Sequence, residues 1–246
     1  MVKLLLFDAF LTLFNTEGTH LEATRLILDN RKLTSPLNTN GDMLDPDEFH
    51  SQWDRFILQE WRAEDGFRPL CNIFEDTLVK TFEYFGVKNN DADDAVKIWL
   101  DLIANSLPYP EVEQVVKPLT ERYDTAIVSN ADNYEMRLCL RRLTFSFPAV
   151  FTSEDVRVYK PRAEIFHAAM KHFGAAPRET LMIGDSLAAD VEGAHNAGIR
   201  CIWINRTGKT LTPDRPQPDF ILPDLNGLNK LLDSLQEVPL AKCSKK

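Results

Sequence analysis

Leu4-Leu5-Leu6-Phe7-Asp8-Ala9-Phe10-Leu11-Thr12 opens the chain with a short apolar run that stops at a carboxylate. A run of this length and character predicts a strand buried on both faces, as in a parallel sheet. Far downstream a second apolar run, Leu181–Ile183, leads into Gly184-Asp185-Ser186-Leu187-Ala188-Ala189-Asp190. Residues just past such strands sit at the carboxyl edge of the sheet, where open α/β folds bind ligands. Two strands side by side would bring Asp8 and Asp185 together across the whole chain. One carboxylate could then attack an electrophile while the other helps hold a hard cation.

Outward from these runs the chain changes character twice. From Thr16 to Asn105 there is no strand-like stretch, but apolar residues recur at helical spacing. Leu21, Leu26 and Ile27 mark one helix, and Phe49, Trp53, Phe56, Ile57 and Trp61 a second. Ile73, Leu78, Phe82 and Phe85 mark a third, ended by Gly86, and Val96, Trp99, Leu100 and Ile103 a fourth. The segment Arg31–Asp45, with Ser35-Pro36 and Asn38 to Gly41, predicts a loop.

After Pro108 strands and helices alternate. Helices are predicted at Val112–Arg122, Tyr134–Leu143, Ala163–Phe173, Ala188–Ala197 and Leu228–Leu235. Strands are predicted at Thr125–Val128, Val150-Phe151, Leu181–Ile183 and Ile199–Ile204, with a frayed tail at Ala241–Lys246. The pattern is that of an α/β, doubly wound parallel-sheet (Rossmann-like) core. Residues 1–15 and 108–246 form that core, and 16–107 an inserted α-helical cap over Asp8, where a lid would sit.

The bulk numbers narrow the function classes. The 246 residues are 44% hydrophobic and 26% charged, ordinary for a globular protein, and suffice for a core plus an insertion. A net charge of −9 leaves no basic surface for a phosphate backbone, so no nucleic acid partner is expected. Cys71, Cys139, Cys201 and Cys243 are scattered in neither a zinc nor a secreted-disulfide pattern, which fits a reducing compartment. No apolar stretch approaches the roughly 18 residues of a membrane span, and the start lacks a signal peptide's basic region. The expectation is a cytoplasmic protein with the nucleus as the other option, no membrane partner, and an oligomeric state the sequence does not address.

Four stations end successive strands: Asp8, Ser129-Asn130, Lys160-Pro161, and Asp185 with Asp190. In this order and these contexts they resemble the haloacid dehalogenase superfamily of hydrolases, and the resemblance covers the whole chain. It implies that Asp8 is the nucleophile and that Thr12 orients its loop and lies with the substrate-binding group. Ser129 and Asn130 would hold oxygens of a substrate phosphate or carboxylate. Lys160 would offset the charge of the carboxylates and the incoming anion, and Pro161 would start the next helix. Asp8, the backbone carbonyl of Phe10 and Asp185 would hold Mg²⁺. Around them Asp190 could bind the metal through water, orient Lys160 or cap a helix, and Ser186 could play a similar part.

One residue departs from that pattern. Most phosphatases of the family carry an aspartate two residues after the nucleophile, which protonates the leaving group and then activates water; here it is Phe10. A general acid–base is worth ~10²–10⁴-fold, so alkyl phosphates should turn over slowly. The dehalogenase branch carries an aromatic at this position but has a glycine where this chain has Leu11, and typically lacks Asp185. Three readings follow: a Mg²⁺-dependent phosphatase acting on a small anionic metabolite, a 2-haloacid dehalogenase, or a catalytically silent binding protein on the same fold. The dispersed histidines lack zinc spacing. Trp53, Trp61 and Trp99 read as core of the insertion, and Arg25, Arg55, Arg62 and Arg68 as solvated.

Overall fold

The computed structural model describes residues 1–31, 44–63, 66–87 and 92–237. The expected loop around Ser35-Pro36 and Gly41, the tail Ala241–Lys246 and Cys243 lie outside the described residues.

The opening run forms β1 (Leu4–Phe7), every residue of it buried. Among the described residues five helices follow before the next strand, the first four being α1 (Thr19–Arg31), α2 (Pro46–Arg62), α3 (Leu70–Tyr84) and α4 (Asp93–Ala104). The start of α2 shows the local logic. Asp45 precedes Pro46 and its Oδ1 accepts from the amides of Asp47 (2.8 Å) and Glu48 (3.2 Å), satisfying donors that a helix start leaves open.

The alternating half comprises α5 (Val112–Arg122), β2 (Asp124–Ser129), α6 (Asn133–Leu140), β3 (Ala149–Thr152), α7 (Ser153–Val156) and α8 (Glu164–Phe173). It continues through β4 (Thr180–Gly184), α9 (Glu192–Asn196), β5 (Arg200–Ile204), β6 (Phe220–Leu222) and α10 (Leu228–Glu237). All strand pairings are parallel, in the order β3-β2-β1-β4-β5-β6. This is the doubly wound order in which the connections reverse direction beside β1, opening a crevice there. Phe7 is in register with both Ile127 and Ile183, so the three strands end side by side.

Among the described residues three apolar cores result. Leu5, Phe7, Ile127 and Ile183 face Val116, Leu228 and Leu232 on one side of the sheet. Leu4, Leu6, Val128 and Met182 face Ile165, Phe166 and Ala194 on the other. Helices α1–α4 bury their own cluster, including Phe49, Trp53, Phe74, Leu78, Phe82 and Trp99. Phe10 is half-buried against both this cluster and the sheet core, at the seam between them.

The structure corrects two sequence expectations and adds two elements. The helix after Lys160 begins at Glu164, one residue past the expected Ala163 and three past Pro161; the Lys160 main chain is held instead by the Asn130 side chain, just past the end of β2. The helix expected from Ala188 starts as a π-type turn, Leu187–Val191, before α9; such turns recur at functional sites. The short edge strand β6 and the four-residue α7 give no clear sequence signal, having too few residues for a periodicity.

Candidate active site

Asp8 follows β1 directly, and its amide still donates to the carbonyl of Ile183 at 2.9 Å, so the sheet register fixes where its carboxylate stands. The chain then turns sharply. Leu11 adopts φ 59°, the left-handed region, and its amide donates to Phe14 at 2.8 Å. For a leucine this conformation costs about 1–2 kcal/mol.

Something must hold that turn, and Arg206, just past β5, does so. Its Nε donates to the carbonyl of Leu11 (3.1 Å) and its Nη2 to that of Thr12 (2.8 Å). The guanidinium lies 3.5 Å from the Tyr109 ring centre and forms an ion pair with Glu111 at 2.7 Å, off hydrogen-bond alignment. Arg206 was not foreseen, since an arginine after a strand carries no local mark of this role.

Lys160 lies at the centre of the site. It is 2% exposed, and its Nζ lies 2.6 Å from Asp8 Oδ1, 2.6 Å from Asp190 Oδ1 and 2.9 Å from the carbonyl of Val128. The Asn130 side chain fixes the main chain beneath it. Its amide nitrogen donates to the Lys160 carbonyl (3.0 Å), and its oxygen accepts from the Lys160 amide (2.7 Å). Asn130 therefore positions Lys160, a role the sequence reading did not give it. Ser129 Oγ donates to Asp8 Oδ1 at 3.2 Å. Both side-chain hydrogen bonds to Asp8 fall on Oδ1.

Asp185 follows β4, and its carbonyl accepts from Trp203 Nε1 at 2.7 Å. Thr12 Oγ1 donates to Asp185 Oδ1 at 3.4 Å, and Thr12 is fully buried and off the described cleft lining. Asp190 is fully buried, and both its oxygens are engaged, Oδ1 by Lys160 and Oδ2 by the amide of Ser186 (2.9 Å). Of the three parts considered for it, orienting Lys160 matches these contacts. Ser186 Oγ accepts from Ala189, capping the π-type turn. Gly184 makes room for Asp190, since a Cβ there would stand 2.3 Å from its carboxyl carbon.

Carboxylate oxygens of Asp8, Asp185 and Asp190 all lie within 4.8 Å of one another. Three acids thus face one ammonium. Burial lifts the Asp8 carboxyl from 3.8 to about 6, against the pull of Lys160 and with a push from Asp190. Burial, then Asp8 and Asp190, raises the Asp185 carboxyl well above its ordinary range. Burial alone would discharge Lys160, but Asp190 and Asp8 outweigh it and hold the ammonium charged. The set is short of positive charge and offers hard oxygen donors, the chemistry a magnesium ion fits.

The carboxylates open into a cleft of about 330 Å³ between the sheet edge and the inserted helices. Phe10, Trp61, Phe74 and Trp99 contribute to its walls. Trp53 is core, as expected, whereas Trp61 and Trp99 also face this cleft. Arg62 and Arg68 pair with Glu192 and Glu60, away from it.

Residues 59–204 match the family of haloacid dehalogenase-like hydrolases. Phosphoserine phosphatase of Thermus thermophilus is 34% identical over 122 residues, 48% of this chain and 48% of that protein. Pyrophosphatase PpaX of Bacillus cereus is 32% identical over 131 residues, 52% of this chain and 60% of that protein. The chain spans about half the length of the curated relatives it matches. Among solved structures, L-2-haloacid dehalogenase from Xanthobacter autotrophicus superposes with a TM-score of 0.74 at 23% identity, over 96% of this chain and 100% of that one, a likeness of fold.

Proposed function

The chain belongs to the haloacid dehalogenase-like hydrolase family, and from that premise we propose that it is a Mg²⁺-dependent phosphatase-type enzyme working through an aspartyl phosphate on Asp8. The observation that carries the reading is the third carboxylate. Asp185 stands within 4.8 Å of Asp8 and Asp190, a surplus of negative charge that repels an anionic substrate unless a divalent cation balances it. Asp8, Asp185 and the Phe10 carbonyl would hold Mg²⁺, which when bound would draw charge from the phosphoryl oxygens.

The protein's own groups do the rest. Lys160 and Ser129 hold Asp8 by Oδ1, leaving Oδ2 to attack. A bond forms from Oδ2 to phosphorus as the bond from phosphorus to the leaving oxygen breaks. That oxygen leaves with the electron pair and takes a proton from water, since Phe10 has none to give. Water then attacks the aspartyl phosphate, losing its proton to solvent and releasing inorganic phosphate and Asp8. Acyl and aryl phosphates, whose leaving groups need no protonation, suit this site better than alkyl esters. Helices α1–α4 act as its cap. The described cysteines are free thiols, which fits work in the reducing cytoplasm.

Phe10 by itself favours the dehalogenase reading. That reaction takes a substrate carboxylate, and Lys160 is the one lysine or arginine in the cleft lining among the described residues; it is already committed to Asp8 and Asp190. The discriminating experiment measures phosphate release from acetyl phosphate and p-nitrophenyl phosphate, and chloride release from 2-chloropropionate, each with Mg²⁺ and with EDTA. Phosphate release that EDTA abolishes, rising ~10²–10⁴-fold for alkyl esters in Phe10→Asp, is the expected result. Metal-independent chloride release, or no turnover by either protein, would overturn the proposal.

A further inference from the structure

Besides the catalytic carboxylates, the cleft lining carries a second set of acids. Glu135, on α6, lines it and is 8% exposed, yet its Oε2 is buried without a hydrogen-bond partner. A buried carboxylate oxygen left in this state is destabilising until a donor reaches it. Burial, and then the neighbouring Asp132 and Glu154, push the Glu135 carboxyl above its ordinary value, against the hydrogen bond from its own backbone amide and the weaker pull of Arg137. Asp132 also lines the cleft, with its two oxygens turned to the amides of Leu70 (2.9 Å) and Cys71 (3.1 Å) at the start of α3. Asp54, on α2, also reaches the lining, but it is exposed and lies 3.4 Å from His50.

Among the described residues of the lining, no free cation answers Glu135 and Asp132. Lys160 belongs to Asp8 and Asp190. His20 is neutral, pushed down to about 3 by burial and by His50. Lys209 lines a smaller adjoining pocket with Asp185, at the phosphate end. Around the acids stand the aromatic rings of Trp61, Phe74 and Trp99. Acids and aromatic faces in a low-dielectric cleft favour an organic cation over a neutral or anionic group.

We propose that the cleft selects phosphate monoesters whose organic part carries an ammonium group, with Glu135 receiving the ammonium through its unpartnered oxygen. This rests on the phosphatase reading above and adds the substrate class to it. The apolar walls take the carbon chain, the second set of acids takes the cation, and a second anion such as a carboxylate is repelled.

The test uses the full chain with Mg²⁺ and three matched series of alkyl phosphates two to six carbons long, ending in an ammonium, a hydroxyl or a carboxylate. For at least one length, kcat/KM for the ammonium ester should exceed its hydroxyl partner at least tenfold, with the carboxylate ester poorest. In Glu135→Gln the ammonium-to-hydroxyl ratio should fall toward one. The corresponding phosphonates, titrated by calorimetry, give the same ranking without turnover, so a slow enzyme still decides the matter. Ratios of one or below at every length, in turnover and in binding, would overturn the proposal. If acetyl phosphate is hydrolysed while those ratios stay flat, the substrate class fails and the phosphatase reading stands. If acetyl phosphate is untouched but the ammonium phosphonates bind best, the reverse holds.

Discussion

Replacing Lys160 by methionine keeps most of the buried volume and removes the one charge that three carboxylates share. The ammonium makes two ion-pair hydrogen bonds of 2.6 Å and a third bond of 2.9 Å to a carbonyl, all at a site 2% exposed. Losing one partner of a buried pair costs about 3–5 kcal/mol, because the other is left charged and unsolvated. The cost depends on pH, and its sign follows from Asp8. Its folded pKa, about 6, lies above the ordinary 3.8 even with Lys160 present, so the folded state holds the proton more tightly than the unfolded state.

Its contribution to stability is therefore greatest below about pH 4 and is lost as pH rises through 6, by about 3 kcal/mol in all. Without Lys160 that pKa climbs further. The variant should then lose about 3–5 kcal/mol at pH 7.5 and clearly less at pH 5, where protonation removes the unpaired charge. Lys160 itself, held charged above its ordinary range, adds no slope between those values. Urea unfolding in EDTA at both pH values measures the two losses. A loss equal at both, or larger at pH 5, would refute the electrostatic account.

Three further outcomes follow. Leu11→Gly should raise stability by about 0.5–1 kcal/mol in urea unfolding, since glycine takes φ 59° freely at some cost in chain entropy; a net destabilisation would mean the leucine side chain matters more than its backbone. Asp185→Asn should stabilise the EDTA-treated protein at pH 7.5 by relieving crowded carboxylates, yet abolish the rise in melting temperature that Mg²⁺ produces. Arg206→Lys should cost about 2 kcal/mol, because an ammonium cannot span the carbonyls of Leu11 and Thr12 while pairing with Glu111; an unchanged urea midpoint would remove Arg206 from the account of the turn.

Asp8, Lys160 and Asp185 were legible because each ends an apolar run or precedes a proline, and a parallel sheet sends such residues to one edge. Even the departure at Phe10 could be read, since it concerns one position after a strand. Glu135 and Arg206 could not, because nothing local distinguishes a glutamate on a helix or an arginine after a strand. Asn130 and Thr12 were seen, but their hold on Lys160 and Asp185 was not, because those contacts exist only through space.

The order of apolar runs along the chain was enough to determine a parallel sheet with helices inserted after its first strand, because backbone pairing and side-chain periodicity are local and repeat. Which carboxylate oxygen is free, which acid has no partner and which leucine is forced into a left-handed turn were decided by tertiary packing. Those properties belong to pairs of groups up to 195 residues apart, as Leu11 and Arg206 are, and only the folded chain brings such pairs within a hydrogen bond of each other.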